Sequence, residues 1–308
     1  MKLIFFGTPQ IAAEHLQALF DSPENEVLAL VCQPDKPRGR GQTLEPCASK
    51  ALALRHDSTL PILQPTSLRD EAFKETFKRL GAELGVSVAY GRIIPADVFS
   101  MPKAGCINVH FSLLPRLRGP SPLEYTILEG HNETGCTTFL LEKEMDTGPM
   151  LMQETVPVLP RETAPQLGVR LTAIGIRLML RSIALIAKDK APKLPQNHTL
   201  ATYCKMIRKE DGNIDWSKPA AATERMIRAF IRWPKAKATL YGQRLSILEA
   251  QVVADSSADE PGTITGLVKE RGFVVKCGSE SLLVTQVQPE GKKPMSAWSF
   301  VQGQRSHR

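Results

Sequence analysis

No hydrophobic run in the 308-residue sequence approaches the roughly 20 apolar residues that a membrane span requires. The richest stretch, residues 178–187, is interrupted by Arg181. The apolar start, residues 3–6, is shorter than the roughly 7–15 residues of a signal-peptide core, so a cytoplasmic protein with no membrane partner is expected. Paired cysteines are missing as well. Cys32, Cys47, Cys106, Cys136, Cys204 and Cys277 are scattered, with no spacing that reads as a zinc or redox motif, and free thiols in a reducing compartment follow. There is no internal repeat and no low-complexity tract, which excludes a repeat array and a disordered chain. What is present, 42% hydrophobic and 23% charged residues, suffices for an ordinary globular protein with a main domain and a smaller companion.

Two textures divide the chain. Over the first two hundred residues, short apolar runs at 3–6, 27–32, 84–90, 106–110 and 136–141 alternate with helix-like spacing at 11–20, 48–56, 70–80 and 121–128. This alternation predicts an α/β domain built of right-handed βαβ units around a parallel sheet, with ligands beyond the carboxyl ends of its strands. Residues 163–186 carry apolar positions at Leu167, Leu171, Ile174, Leu178 and Ile183 and predict a closing helix. A charged, two-proline stretch follows. The expected organisation is therefore a domain over 1–188, a linker over 189–205 and a C-terminal domain over 206–308. In the last part, runs at 244–253, 262–269, 272–277 and 282–288 read as strands of a small β-barrel or sandwich, introduced by a helix near 220–230.

The net charge of +7 is weak evidence of a polyanionic partner until it is divided. Residues 206–308 hold 16 Lys/Arg against 11 Asp/Glu, an excess of five, which leaves 23 against 21 for residues 1–205.

The sharpest chemical signal is Cys106-Ile107-Asn108-Val109-His110. On a strand, residues two apart share a face, so Asn108 and His110 project together while Ile107 and Val109 face the opposite layer. An amide donor beside an imidazole suits an oxyanion, although a single His also serves as a hydrogen-bonded structural residue. The apolar run Ser112-Leu113-Leu114-Pro115 follows and would form a pocket wall. Asp146-Thr147-Gly148, after the next strand, would bring a carboxylate to the same end of the sheet. An aspartic protease needs a second such motif in an all-β setting, and neither is present. Gly7-Thr8-Pro9 sits where phosphate loops occur but lacks the three-glycine and P-loop patterns, so a tight turn is the simpler reading. Two cationic segments remain, Lys36, Arg38 and Arg40 on a Gly-rich loop, and Arg228 to Lys237 interleaved with Phe230 and Trp233. Each reads either as a nucleic-acid contact or as a solvated or packed surface.

Taken in order, these segments resemble the methionyl-tRNA formyltransferase family of folate-dependent formyltransferases over nearly the whole chain. The resemblance is carried by Phe6-Gly7-Thr8-Pro9, the 33–41 loop, Ala89-Tyr90-Gly91, Asn108-Val109-His110, Ser112-Leu113-Leu114-Pro115 and Asp146-Thr147-Gly148. Toward the C-terminus it adds Lys209 to Trp216, Arg228-Ala229-Phe230, Trp233-Pro234, Pro261 to Ile264 and Gly291 to Ser296. It implies a Rossmann-like parallel-sheet formyltransferase domain followed by a smaller OB-like β-barrel. It further implies transfer of the formyl group of 10-formyltetrahydrofolate, as co-substrate, to the amino group of methionyl-initiator-tRNA by a monomer that needs no metal. Asn108, His110 and Asp146 would be catalytic. Ala89, Tyr90, Gly91, Ser112, Leu113, Leu114 and Pro115 would bind the formylfolate, and Lys36, Arg38, Arg40, Arg228 and Lys235 the tRNA.

The sequence departs from the family pattern at Phe111, usually Gly, at Pro120-Ser121, usually two Ala, and at Ile231-Arg232, usually Asn-Pro. Two rivals stand beside this reading. One is a formyltransferase for a small amino sugar nucleotide or glycinamide ribonucleotide, which would not require the basic loop. The other is a non-catalytic nucleic-acid-binding protein on the same scaffold, which would not require Asn108, His110 and Asp146 together.

Overall fold

A computed structural model describes residues 1–38 and 43–305, which form two compact units. The first comprises residues 1–122, 133–157 and 168–204, the second residues 123–132, 158–167 and 205–308.

In the first unit, β1 (Lys2–Gly7) is buried at every residue after Lys2, the signature of a central strand covered on both faces. The chain continues through α1 (Gln10–Phe20), β2 (Glu26–Val31), a two-stranded ribbon of β3 (Lys36–Arg38) and β4 (Thr43–Glu45), α2 (Ala48–His56), β5 (Ile62–Leu63) and α3 (Glu71–Arg79). Then come β6 (Leu84–Val88), α4 (Ala96–Phe99), β7 (Cys106–His110), α5 (Pro122–Leu128), which belongs to the second unit from residue 123 on, β8 (Glu133–Leu140), β9 (Met150–Pro157) and α6 (Ala164–Ala187), which belongs to the first unit from residue 168 on. The sheet order is β5-β2-β1-β6-β7-β8-β9. One layer of core joins Ile4, Phe6, Phe73, Phe77 and Tyr90, with the Phe6 ring 5.6 Å from those of both Phe77 and Tyr90.

The sheet is parallel only from β5 to β7, because β8 and β9 run antiparallel. The expected parallel sheet thus holds from β5 to β7, and β8 and β9 extend it by antiparallel pairing. A parallel partner needs a crossover that travels back along the sheet. The connection from β7 to β8, residues 111–132, starts and finishes at the same end of the sheet, so β8 runs back along β7 with Thr137 opposite His110 and Leu140 opposite Ile107. The additional strand β9 escapes the sequence pattern because its outer positions are polar and only Leu151 is fully buried.

Thr8 closes the turn after β1. Its hydroxyl donates to the Tyr90 carbonyl at 3.2 Å and accepts from the Gln33 amide at 3.3 Å, so it ties together the ends of three neighbouring strands. Gly7 is required there, since a Cβ would lie 2.5 Å from the Phe5 ring and 2.6 Å from Ala12. Residues 189–204 are stitched to this unit rather than free. Leu194 and Met150 exchange backbone hydrogen bonds, Tyr203 bridges to Arg118, and Gln196 and Cys204 are buried.

The second unit contains α7 (Ala220–Ala229) and the antiparallel path β10-β11-β14-β13-β12. These strands are β10 (Ala236–Leu240), β11 (Gln243–Val253), β12 (Ile264–Val268), β13 (Gly272–Lys276) and β14 (Ser281–Pro289), and the short β15 (Met295–Ser296) pairs with β14. Shifts in the β11–β14 register between Ile247 and Ala250 bend the sheet. Among the described residues no ladder joins β10 to β12, so the sheet stays open where a closed barrel was anticipated. Its apolar face is filled instead by helices: Ala220 and Ile227 of α7, and Ala297, Phe300 and Val301 of α8 (Ala297–Arg305), share one core with Phe273, Val275 and Val284. No helix among the described residues is long and apolar enough to cross a membrane.

Candidate active site

Strand β7 is held on both sides, with Asn108 opposite Ser87 of β6 and Phe139 of β8. Its backbone therefore has no freedom to twist the side chains off their faces. Ile107 and Val109 are buried in the opposite layer. Phe111 is buried with its ring 6.1 Å from that of His15 on α1. A Cβ on Gly175 of α6 would sit 3.1 Å from the Phe111 ring and 3.0 Å from Val109. The residue that departs from the family pattern thus packs into the core between α1 and α6.

His110 is buried, and its Nε2 lies 2.8 Å from the Leu117 carbonyl, which only accepts. Nε2 therefore carries the proton of the neutral ring and donates it to Leu117. The remaining ring nitrogen, Nδ1, faces Asp146 Oδ2 at 3.8 Å, too long for a direct hydrogen bond. Among the described residues the Asn108 carboxamide, half-buried on the same strand face, has no hydrogen-bond partner.

Asp146 arrives by a route the sequence did not suggest. Because β8 is antiparallel, it ends beside the start of β7, and the loop 141–149 has to fold back toward His110. Three contacts hold it there. The Gly119 amide donates to Asp146 Oδ2 at 2.7 Å, and the Gln196 side-chain amide donates to the carbonyls of Asp146 at 2.9 Å and Gly148 at 2.8 Å. Gly148 presses on the end of β8, where a Cβ would lie 1.8 Å from the Leu140 carbonyl oxygen. Asp146 itself has φ +56°, a left-handed conformation that costs energy in a non-glycine residue and persists only where its surroundings impose it.

The Gln196 carbonyl oxygen is in turn held by Arg118, from Nε at 3.1 Å and Nη2 at 2.6 Å, and Arg118 is 1% exposed. Neither Arg118 nor Gln196 stands out in the sequence. Arg118 is one of two arginines in an apolar loop, and Gln196 lies 78 residues downstream in a stretch that reads as linker. Buried cations seldom occur without partners, but which of two neighbouring arginines is buried is decided by the fold.

The 112–118 loop is rigid. The Ser112 hydroxyl donates to the Arg116 carbonyl at 2.6 Å, the Leu114 amide donates to Thr137, and the Leu114 carbonyl accepts from Gln153 at 2.9 Å. The Leu114–Pro115 peptide is cis. Leu114 is buried while Leu113 and Pro115 are partly exposed. At 89–91 the backbone leaves β6 in a left-handed turn, Ala89 with φ +46° and Gly91 with φ +80°, and the Tyr90 carbonyl accepts from Gln33 and Thr8. The ring is in the core, its hydroxyl without a partner among the described residues, and burial pushes that hydroxyl up to about 12.

Of the cations, Lys36 is exposed on β3, whereas Arg40 lies outside the described residues. Arg38 is the last residue of β3. In the second unit Arg228 holds both oxygens of Glu224 and donates to the Glu162 carbonyl at 2.8 Å. Lys235, with φ +68°, donates to Gln288. Gln288 borders a groove of about 230 Å³ also lined by Lys209, Lys237 and Arg244.

Residues 1–183 match the model of the formyl transferase family, and residues 206–305 match that of the formyl transferase C-terminal domain. Among curated proteins, the chain is 42% identical over 296 residues to a methionyl-tRNA formyltransferase of Pseudomonas putida (strain W619), covering 96% of this chain and 94% of that protein. It is 40% identical over 303 residues to a methionyl-tRNA formyltransferase of Moorella thermoacetica, covering 98% and 96%. Among solved structures, it resembles HypX from Aquifex aeolicus in complex with tetrahydrofolic acid, with TM-score 0.66 and 14% identity over 98% of this chain and 47% of that one. It also resembles WlaRD, a sugar 3N-formyl transferase, with TM-score 0.65 and 18% identity over 95% and 99%.

Proposed function

The chain belongs to the methionyl-tRNA formyltransferase family and formylates methionyl-tRNA, and on that premise we propose that β7 and the 146–148 loop form its catalytic centre. The observation that supports this most is the free carboxamide of Asn108 on the same strand face as His110, whose Nε2 is already committed and whose Nδ1 looks toward Asp146.

In the reaction the α-amine of the methionyl ester attacks the formyl carbon. A new C–N bond forms, the bond from that carbon to N10 of the folate breaks, the amine gives up a proton and N10 receives one. Negative charge gathers on the former carbonyl oxygen in between. Asn108 supplies a donor to that oxygen without giving up another contact, since its carboxamide has no partner among the described residues. His110 offers a second donor whenever Nδ1 is protonated. Asp146, within 4 Å of Nδ1 and held from Gly119, would accept the amine proton directly or through a water.

The donor in this proposal is 10-formyltetrahydrofolate, bound along the 112–115 wall and the 89–91 backbone. Tyr90 contributes its main chain there and Ser112 its position in the turn. For tRNA, we propose contacts from the cations Lys36, Arg38 and Arg40. On the same proposal the C-terminal unit, built on a five-strand antiparallel path, acts as an OB-like module that holds the rest of the tRNA, with Arg228 and Lys235 among its basic residues.

The direct test is incubation with 10-formyltetrahydrofolate and methionyl-initiator-tRNA, scoring formylmethionine on the tRNA. Asn108→Ala is expected to lower kcat about 10²–10³-fold while unfolding cooperatively like the parent. Near-parental kcat in that variant would remove Asn108 from the mechanism.

A further inference from the structure

Asp146 adopts a conformation it would not choose alone, and a second set of residues imposes it. The Gln196 carboxamide spends all of its capacity on one connection: its oxygen accepts twice from Arg118, and its nitrogen donates to the carbonyls of Asp146 and Gly148. Arg118 is fully buried, its other near partner being His198 Nδ1 at 3.2 Å from Nη2. Its charge therefore faces neutral acceptors. That is costly unless the geometry is kept, which makes Gln196 difficult to move. The main chain of the same segment is also anchored, with the Arg118 amide donating to the Thr202 carbonyl at 2.9 Å and Cys204 donating back to Arg118 at 2.8 Å. The next residue, Gly119, donates to the Asp146 carboxylate. One dipeptide thus grips Asp146 twice, through Gly119 at the carboxylate and through Arg118 and Gln196 at the backbone.

We propose that Arg118 and Gln196 are positioning residues for the formyl transfer, setting the distance between the Asp146 carboxylate and His110 Nδ1. The inference rests on the catalytic role assigned to Asp146 above. Neither side chain touches the reacting groups. Their effect is to fix the carboxylate within a few tenths of an ångström, and misplacement of a catalytic group by about 1 Å costs on the order of 10²-fold in rate.

Gln196→Glu separates positioning from folding. A carboxylate keeps the oxygen that holds Arg118 but puts a second oxygen against the carbonyls of Asp146 and Gly148, where the amide donated. The double variant Arg118→Met/Gln196→Met removes the buried charge together with its partner, so no unpaired cation is left in the core. In whichever of these folds, kcat is expected to fall about 10- to 100-fold. KM for 10-formyltetrahydrofolate should stay within about threefold, and the acidic limb of the kcat–pH profile should move, because the His110–Asp146 geometry has changed. A folded variant with parental kcat and an unmoved limb, or a loss carried by KM, would overturn the proposal. Asp146→Ala, run alongside, keeps the two claims apart: if it remains active, the reading of Asp146 fails, whereas an inactive Asp146→Ala beside a fully active Gln196→Glu rejects only the positioning role.

Discussion

Single residues carry the site through conflicts that their neighbours resolve. Gly119 is the clearest case, with φ +119° and a Cβ position 2.2 Å from the Cys204 carbonyl oxygen. Gly119→Ala should therefore push the 119 amide off the Asp146 carboxylate, lower kcat at least tenfold and destabilise the fold by about 1–3 kcal/mol, measured by urea unfolding. His15 conflicts with its surroundings in another way. It is fully buried, Nδ1 donates to the Ile11 carbonyl at 2.8 Å, Nε2 has no partner among the described residues, and burial lowers its pKa to about 4. Its unfolded value is near 6.5, so the folded form stays neutral while the unfolded chain takes up a proton as pH falls. Stability is fully present above about pH 6.5 and declines toward pH 4, by up to about 3 kcal/mol from this residue. Comparing His15→Leu with the parent at pH 7 and pH 4.5 checks this, since the variant should lose less on acidification. Asn108 and His110 were legible in the sequence because strand periodicity alone puts them on one face. Arg118 and Gln196 were not, because a hydrogen bond across 78 residues leaves no local pattern.

At the scale of elements, apolar runs identified the central strands because burial on both faces demands them. The direction of β8 was hidden, since a strand of either sense shows the same residues to its neighbours. With it went the path of the 141–149 loop. Helix α3 shows a local rule holding well: Asp70 accepts the Phe73 amide at 2.9 Å, Glu71 opens the first turn, and Lys78 and Arg79 close the last. Asp70→Ala is expected to cost about 1 kcal/mol in urea unfolding without changing turnover, since α3 contributes Phe73 and Phe77 to the core and nothing to the site. The open sheet of the second unit was the hardest element to foresee. Alternating strands announce a buried face, but not whether other strands or helices such as α7 and α8 will cover it.

Over the whole molecule, the charge excess of five in residues 206–308 and the cations of the basic ribbon belong to opposite ends of the sequence, while the centre at β7 lies between them. If both serve the polyanion, KM for tRNA should climb steeply between about 50 and 200 mM salt, and KM for 10-formyltetrahydrofolate should change little. Equal salt dependence of the two constants would contradict that placement.

The grip on Asp146 also has a consequence in time. Asn108 and His110 are made early in the chain, but Gln196 and the Thr202–Cys204 anchor of Arg118 come last in the first unit. A ribosome-bound chain that has exposed only its first 180 residues contains Asn108 and His110 but lacks Gln196 and the anchor of Arg118. On the proposed roles of Asp146, Arg118 and Gln196, chemistry would have to wait until synthesis has passed residue 204.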